Sequence, residues 1–195
     1  MEILFAALTL FLIMDPIGNI PPFLAVLKDV PTERRRPVLI RELLLALGIL
    51  LLFLFLGGYI LQLLGLRQES ISIAGGIILF IIAIRMIFPV EGGLVGETPE
   101  GEPFLVPLAV PLVAGPSVLA SILLLKQSSN LGTAGLLGAV SIAWAVSAAI
   151  LISAPYLLKL LKQRGLIAME RLMGMLLVIL SVQMFLDGIS AFMKK

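Results

Sequence analysis

Met14-Asp15-Pro16-Ile17-Gly18-Asn19-Ile20-Pro21-Pro22 interrupts an otherwise apolar stretch running from residue 3 to residue 27. Proline inside a helix removes a hydrogen-bond donor, and its ring clashes with the carbonyl one turn back. Asp15 adds a charge near the middle of a segment long enough to cross a bilayer, where a charge is costly. A second interruption, Pro107, Pro111 and Ala114-Gly115-Pro116-Ser117, falls within the apolar stretch 104–125. In hydrocarbon the backbone groups freed by such breaks need partners, so irregular chain survives only inside protein or beside a water-filled cavity. Paired breaks therefore predict a buried polar cavity between two halves of one membrane domain.

The rest of the chain agrees with a membrane setting. Of 195 residues, 60% are hydrophobic and 13% charged, and the mean hydropathy is +1.15. A soluble domain of this size cannot hide so much apolar surface, whereas lipid acts as an apolar solvent for the exterior. The net charge of +2 is small and no nucleic-acid partner is expected. Cysteine and histidine are both absent, which excludes disulfides, thiol chemistry, haem ligation and the usual zinc sites. No metal site and no cofactor is expected, and any proton coupling has to use carboxylates. The N-terminus lacks a basic residue before its apolar run and a small-residue cleavage site, so it reads as a retained helix rather than a signal peptide.

About 20 apolar residues cross a core of about 30 Å, and six stretches qualify: 3–27, 38–64, 70–88, 104–125, 133–158 and 168–192. The fold class is accordingly all-α. Six transmembrane helices form a single membrane domain, 1–195, with repeat one at 1–88, an acidic linker loop at 89–103 and repeat two at 104–195. Nine basic residues (Lys28, Arg34, Arg35, Arg36, Arg41, Lys159, Lys162, Arg164 and Arg171) fall on one side of the spans, and four (Arg67, Lys126, Lys194 and Lys195) on the other. The positive-inside rule then puts both termini on the outer side of a prokaryotic cytoplasmic membrane. The acids Glu91, Glu97, Glu100 and Glu102 read as a solvated linker, since acids count little in that rule.

The halves overlay. An offset of 98 places Gly76 on Gly174, Leu79 on Leu177, Arg85 on Gln183 and Met86 on Met184; an offset of 97 places Tyr59 on Tyr156; and 94 places Pro22 on Pro116. Three spans per repeat is odd, so the second copy runs in the opposite sense. Inverted repeats with broken helices are the pattern of secondary transporters.

The site expected at the breaks comprises Asp15, Gly18, Asn19, Gly115, Pro116 and Ser117, with Pro16, Pro21, Pro22 and Pro111 breaking the helices. Half-helix N-termini suit an anion and unwound carbonyls suit a cation, a pair matching the zwitterionic head of an amino acid. Asp15 reads as a site residue, against the alternative of a plain helix cap, and Asn19 and Ser117 share that alternative. Gly18 and Gly115 would let a small substrate approach the main chain. Arg41, Glu42, Arg85 and Gln183 are gate or coupling residues. For Arg41 and Glu42 an interfacial, snorkelling placement competes with that role, and Arg85 too reads as snorkelling. Asp187 reads as interfacial. Gly57-Gly58 and Gly75-Gly76 read as close helix packing.

These strings carry a resemblance. Met14 through Pro21 followed by Arg34-Arg35-Arg36 and Arg41-Glu42, then Ala74-Gly75-Gly76, then Pro107-Leu108-Ala109-Val110-Pro111-Leu112-Val113-Ala114-Gly115-Pro116, are similar to the repeat signatures of the MarC family across essentially the whole chain. The resemblance implies a six-helix protein of the prokaryotic cytoplasmic membrane. The family is also called the small neutral amino acid transporter family. The leading expectation is a secondary transporter of glycine- or alanine-like amino acids, driven by protons or sodium, with the lipid bilayer and its substrate as partners. The oligomeric state is not readable from sequence. A channel or facilitator for other small solutes is the alternative, but it would leave a continuous polar stripe rather than two polar breaks. An enzyme is not expected. A Ser–His protease needs histidine, and Asp15 and Asp187 sit at different depths, too far apart in register for an aspartyl pair. A scaffold without transport would leave the paired breaks unexplained.

Overall fold

A computed structural model describes residues 1–28, 30–88, 102–128, 131–160 and 163–193. The chain is all-helical: α1 (Glu2–Met14), α2 (Pro16–Leu27), α3 (Thr32–Leu63), α4 (Gln68–Ile87), α5 (Pro116–Ser128), α6 (Gly132–Leu160) and α7 (Gln163–Met193), with a wide-turned segment at Leu108–Val113. Among the described residues five stretches are long and apolar enough to cross a membrane: Glu2–Leu27, Thr32–Leu63, Glu69–Ile87, Gly132–Ala154 and Ile167–Met193. At 1.5 Å per residue the 32 residues of α3 extend about 48 Å, well beyond a core of about 30 Å. Its first turn, rich in arginine, therefore projects past the hydrocarbon. Large side chains such as Phe55 and Tyr59 on α3 and Leu172 and Ile179 on α7 face outward, as lipid allows.

The first break forms at Asp15, whose φ of 42° is left-handed, a conformation that Asp tolerates better than most residues. Proline at the first position of α2 suits a helix start, where its missing N–H would be unpaired anyway. Pro21 and Pro22, expected to prolong the break, instead lie inside α2. Their fixed φ is helical, and within the helix they remove the bonds to the carbonyls of Ile17 and Gly18 and press their rings toward them. Both carbonyls belong to the first turn of α2, beside the break.

The fourth expected span departs further from a regular helix. Residues 104–115 are irregular, with cis bonds before Pro107 and Pro111. Bonds five residues apart (Val110 to Leu105, Leu112 to Pro107, Ala114 to Ala109) replace the α-helical ones, and Val110 is extended. The helix that follows, α5, has 13 residues, about 20 Å, too short to cross alone. Of the six expected spans, whose first and fourth were expected to be broken, five are long apolar stretches among the described residues and the fourth is an irregular segment followed by a short helix. The registration of Pro22 on Pro116 is corrected too: Pro116 starts α5 as Pro16 starts α2, so the helix-starting prolines correspond at an offset of 100.

α4 packs along α7, and α3 meets α6. α1 and α2 lie on α6, as Leu108–Val113 and α5 lie on α3. α2 touches α7 as α5 touches α4. The α4–α7 contact runs through backbone: a Cβ on Gly76 would lie 2.9 Å from the Ser181 carbonyl, and one on Gly174 would lie 3.1 Å from the Ala83 carbonyl. A shift of 98 positions converts one contact into the other. Gly57, Gly75 and Gly76 do serve close packing, whereas Gly58 faces open space.

On the arginine-rich side, α3 grips the chain entering the second half. Glu42 is 0% exposed, which corrects its interfacial placement. Its Oε2 accepts from the Leu105 N–H at 2.8 Å, and its Oε1 from Arg41 Nε at 3.1 Å. Arg41 does not snorkel: it also donates to the Pro103 carbonyl, approaches Glu102 at 3.5 Å and lies over the Phe104 ring. Arg34 forks onto both Glu102 oxygens at 2.7 and 3.1 Å. Glu102 is therefore a clamped residue, not part of a solvated linker. The Arg34 hydrogen bonds, more than the remaining charges, hold its carboxyl below the ordinary value of 4.5. Glu91, Glu97 and Glu100 lie outside the described residues.

Candidate functional site

The two breaks meet. Asn19 is 8% exposed, and its Nδ2 donates to the Met14 carbonyl at 2.8 Å and, 93 residues away in sequence, to the Leu112 carbonyl at 2.8 Å. One amide thereby satisfies the C-terminal end of α1 and the unwound chain before α5. Because both its N–H groups are consumed, Asn19 retains only Oδ1, an acceptor, for any ligand.

Around this brace lies a cavity of about 270 Å³, just below the usual range for ligand pockets, about 300–1,000 Å³. A solute held there is small. All six residues expected at the site (Asp15, Gly18, Asn19, Gly115, Pro116 and Ser117) line this one cavity, together with Pro111. Pro16, Pro21 and Pro22 do not line it, and neither do Arg41, Glu42, Arg85 or Gln183. Arg85 lies in the last turn of α4, where a cation complements the helix dipole. Gln183 donates to Asp187 Oδ1 at 2.8 Å, one turn along α7.

The opposite wall was not legible from the breaks. It consists of Gly75 and Leu79 on α4 and of Met173, Leu176, Leu177, Leu180 and Met184 on α7. Gly75 packs so closely on the Pro116 ring that any Cβ there would overlap it. The Gly75-Gly76 pair was the available signal, since it marks where α4 must approach something closely.

The two helix starts are chemically unlike. Asp15 caps α2, its Oδ1 accepting from the Gly18 N–H at 3.0 Å, while the Asn19 N–H goes to the Asp15 carbonyl at 3.0 Å. The carboxylate also occupies the space that a Cβ on Gly18 would need, and a Cβ on Gly115 would lie 2.6 Å from the Pro111 carbonyl. At both glycines the space a Cβ would take is filled by the protein's own atoms, while both residues still line the cavity. At α5 the Leu119 N–H binds the Gly115 carbonyl at 3.0 Å. Among the described residues no side chain caps the N–H groups of Ser117 and Val118, both at the cavity wall. The arrangement can accept hydrogen bonds at one end, from Asp15 and Asn19 Oδ1, and donate them at the other, with apolar methionine and leucine between.

Comparison with known proteins gives one consistent assignment. A family model described as "MarC family integral membrane protein" matches residues 1–193. A UPF0056 membrane protein of Buchnera aphidicola subsp. Schizaphis graminum (strain Sg) is 51% identical over 193 residues, 99% of this chain and 98% of its own. The UPF0056 inner membrane protein YhgN of Escherichia coli (strain K12) is 51% identical over 194 residues, with the same coverage. A UPF0056 membrane protein of Chlamydia pneumoniae is 34% identical over 185 residues, 94% of this chain and 92% of its own. No solved structure matches the chain.

Proposed function

The chain belongs to the MarC family of integral membrane proteins, and from that premise we propose that it is a secondary transporter of small neutral amino acids, glycine- or alanine-like, working by alternating access. The observation that carries this reading is the convergence of both helix breaks on one small cavity with an acceptor end and a donor end. An ammonium group would lie toward Asp15 and Asn19 Oδ1. A carboxylate would lie toward the uncapped start of α5, where N–H groups and the helix dipole favour negative charge. The methionine and leucine wall leaves room for a short apolar side chain and none for a charged one, which would lack a buried partner.

Alternating access draws support from the reciprocal glycine contacts of α4 and α7. Two inverted repeats related by a pseudo-two-fold would produce both contacts from a single rule. In this reading the irregular segment 104–115 and α5 together make the sixth crossing. The protein sits in the cytoplasmic membrane with both termini outward, and a reporter fused after Lys195 should be active outside the cytoplasm. Protons or sodium would drive transport; no catalytic residue or cofactor is assigned.

The test is uptake of labelled glycine into proteoliposomes under imposed proton or sodium gradients, with unlabelled amino acids as competitors. Gradient-driven uptake should be inhibited by alanine far more than by leucine. Equal inhibition by both would remove the proposed pocket, and no inhibition by any amino acid would remove the substrate class. Uptake indifferent to both gradients would favour a facilitator instead.

A further inference from the structure

The break cavity has a neighbour. A second chamber, about 360 Å³, lies between the start of α4 and the end of α7; Glu69, Ser72, Ala120 and Asp187 line it. The two chambers have Ser117 and Met184 in common. These two side chains therefore stand at the boundary between the chambers. Met184 is half-buried, and as an unbranched, flexible thioether it can swing aside without moving backbone.

Met184 has a counterpart. The shift of 98 that exchanges the Gly76–Ser181 and Gly174–Ala83 contacts also carries Met184 onto Met86. Met86 is 3% exposed and sits in the core, where a Cβ on Gly174 would lie 3.1 Å from its own Cβ. Equivalent positions thus hold the same residue in two states, one beside a chamber and one packed shut.

Building on the transporter reading, we infer that Met184 and Met86 are the paired gates of the cavity. Met184, against Ser117, controls the route to the face carrying the α3–α4 turn; Met86 controls the route to the opposite face. The structure is the form in which the first route is available and the second is sealed. In the other form the two methionines exchange environments.

Because the chain contains no cysteine, single-cysteine labelling needs no prior engineering. The full-length Ser117→Cys variant, in sealed vesicles of known orientation, is treated with a membrane-impermeant cationic methanethiosulfonate from either face. Labelling should be faster from the α3–α4 face by about tenfold or more, a barrier difference of about 1.4 kcal/mol. Adding Met184→Trp should slow it by a similar factor, while a Ser72→Cys variant, in the outer chamber, keeps its rate with or without Met184→Trp. Adding Met86→Ala to Ser117→Cys should admit the reagent from the opposite face; this arm decides alone if the tryptophan disturbs the fold. Unchanged labelling with Met184→Trp, or continued one-sided labelling with Met86→Ala, would overturn the proposal. Labelling requires no substrate, so failed amino acid uptake alongside the expected pattern would remove the substrate and leave the gates.

Discussion

At the first break a carboxylate closes the helix that follows; at the second the helix begins behind a glycine and stays open to the cavity. Both half-helices start with proline, Pro16 and Pro116, and both must deal with the unpaired N–H groups of a first turn. Asp15 answers with its own anion. Gly115 has no side chain with which to answer, and its backbone lies so close to the Pro111 carbonyl that none would fit. Two helix starts that share only their proline therefore differ in what they offer: the α2 side of the cavity accepts hydrogen bonds, the α5 side donates them. A symmetric pair of breaks would suit an ion of one sign, whereas under the proposed function this pair would suit a dipole.

The largest effects should come from removing that difference. Asp15→Asn retains the cap, since asparagine caps about as well as aspartate, and it tolerates the left-handed conformation at least equally. Uptake should nevertheless fall more than about tenfold, the loss of about 1.4 kcal/mol of binding, with insertion and monodispersity unchanged. Ser117→Asp removes the difference from the other side by giving α5 an anion of its own. Uptake should fall comparably, while thermal stability holds or rises, because a carboxylate in a first turn is favourable by about 0.3–1 kcal/mol. Full transport in both variants would reduce the breaks to structural features.

A smaller effect sharpens the comparison by separating the breaks physically. Asn19→Leu keeps bulk but leaves the Met14 and Leu112 carbonyls without their shared donor. Each unsatisfied buried carbonyl costs about 1–3 kcal/mol, so the melting temperature in detergent should drop by several degrees. Asn19→Gln, which lengthens the amide by a methylene in a tight site, should recover only part of it. An unchanged melting temperature would show that the breaks do not depend on the brace.

The smallest effect lies at the clamp, which has a plainer mate in the other half. Shifted by 97 and 98, the Glu42–Leu105 contact becomes Ala139–Ala7, and those alanines do pack together, with Ala6, as a separate apolar cluster. The first of these two contacts is made by charges and the second by methyl groups, so of the two only the first responds to pH. Glu102 has a lowered pKa, so its contribution to stability is complete above the ordinary carboxylate value of 4.5 and is lost as pH falls through the lowered one. The stability difference between the native chain and Glu102→Gln should stay constant from neutral pH to about 4.5 and shrink below it. Because Arg34 is half exposed, the difference will be small and salt-sensitive. A difference that grew on acidification would contradict the assigned pairing.

Much of this was legible in the chain itself, for a physical reason. Solvent class follows from summed hydropathy, and breaks follow from proline and glycine, whose effects act within one turn of backbone. The sequence alone therefore determined that the protein lives in lipid, and that the helix is interrupted at Asp15-Pro16 and the chain again before Pro116; it also paired Gly76 with Gly174, two residues that each meet the opposite helix's backbone across the α4–α7 contact. Locality also set its limits. Pro21 and Pro22 looked like breakers because each removes a donor, but both lie within α2, and the carbonyls they free belong to its first turn, next to the break at Asp15. Glu42 looked interfacial because it follows Arg41 near a helix start, yet a strand of chain from 103 to 105 covers it. A cavity at the paired breaks was expected from the sequence, but only the tertiary structure decided that Asn19 joins them, since the Leu112 carbonyl is 93 positions away and nothing in a local pattern tells an amide which distant carbonyl will be within 3 Å. It also decided what fills the space a Cβ would take on the two glycines, the Asp15 carboxylate at Gly18 and the Pro111 carbonyl at Gly115, because a glycine's missing Cβ says only that something comes close, and the fold determines what.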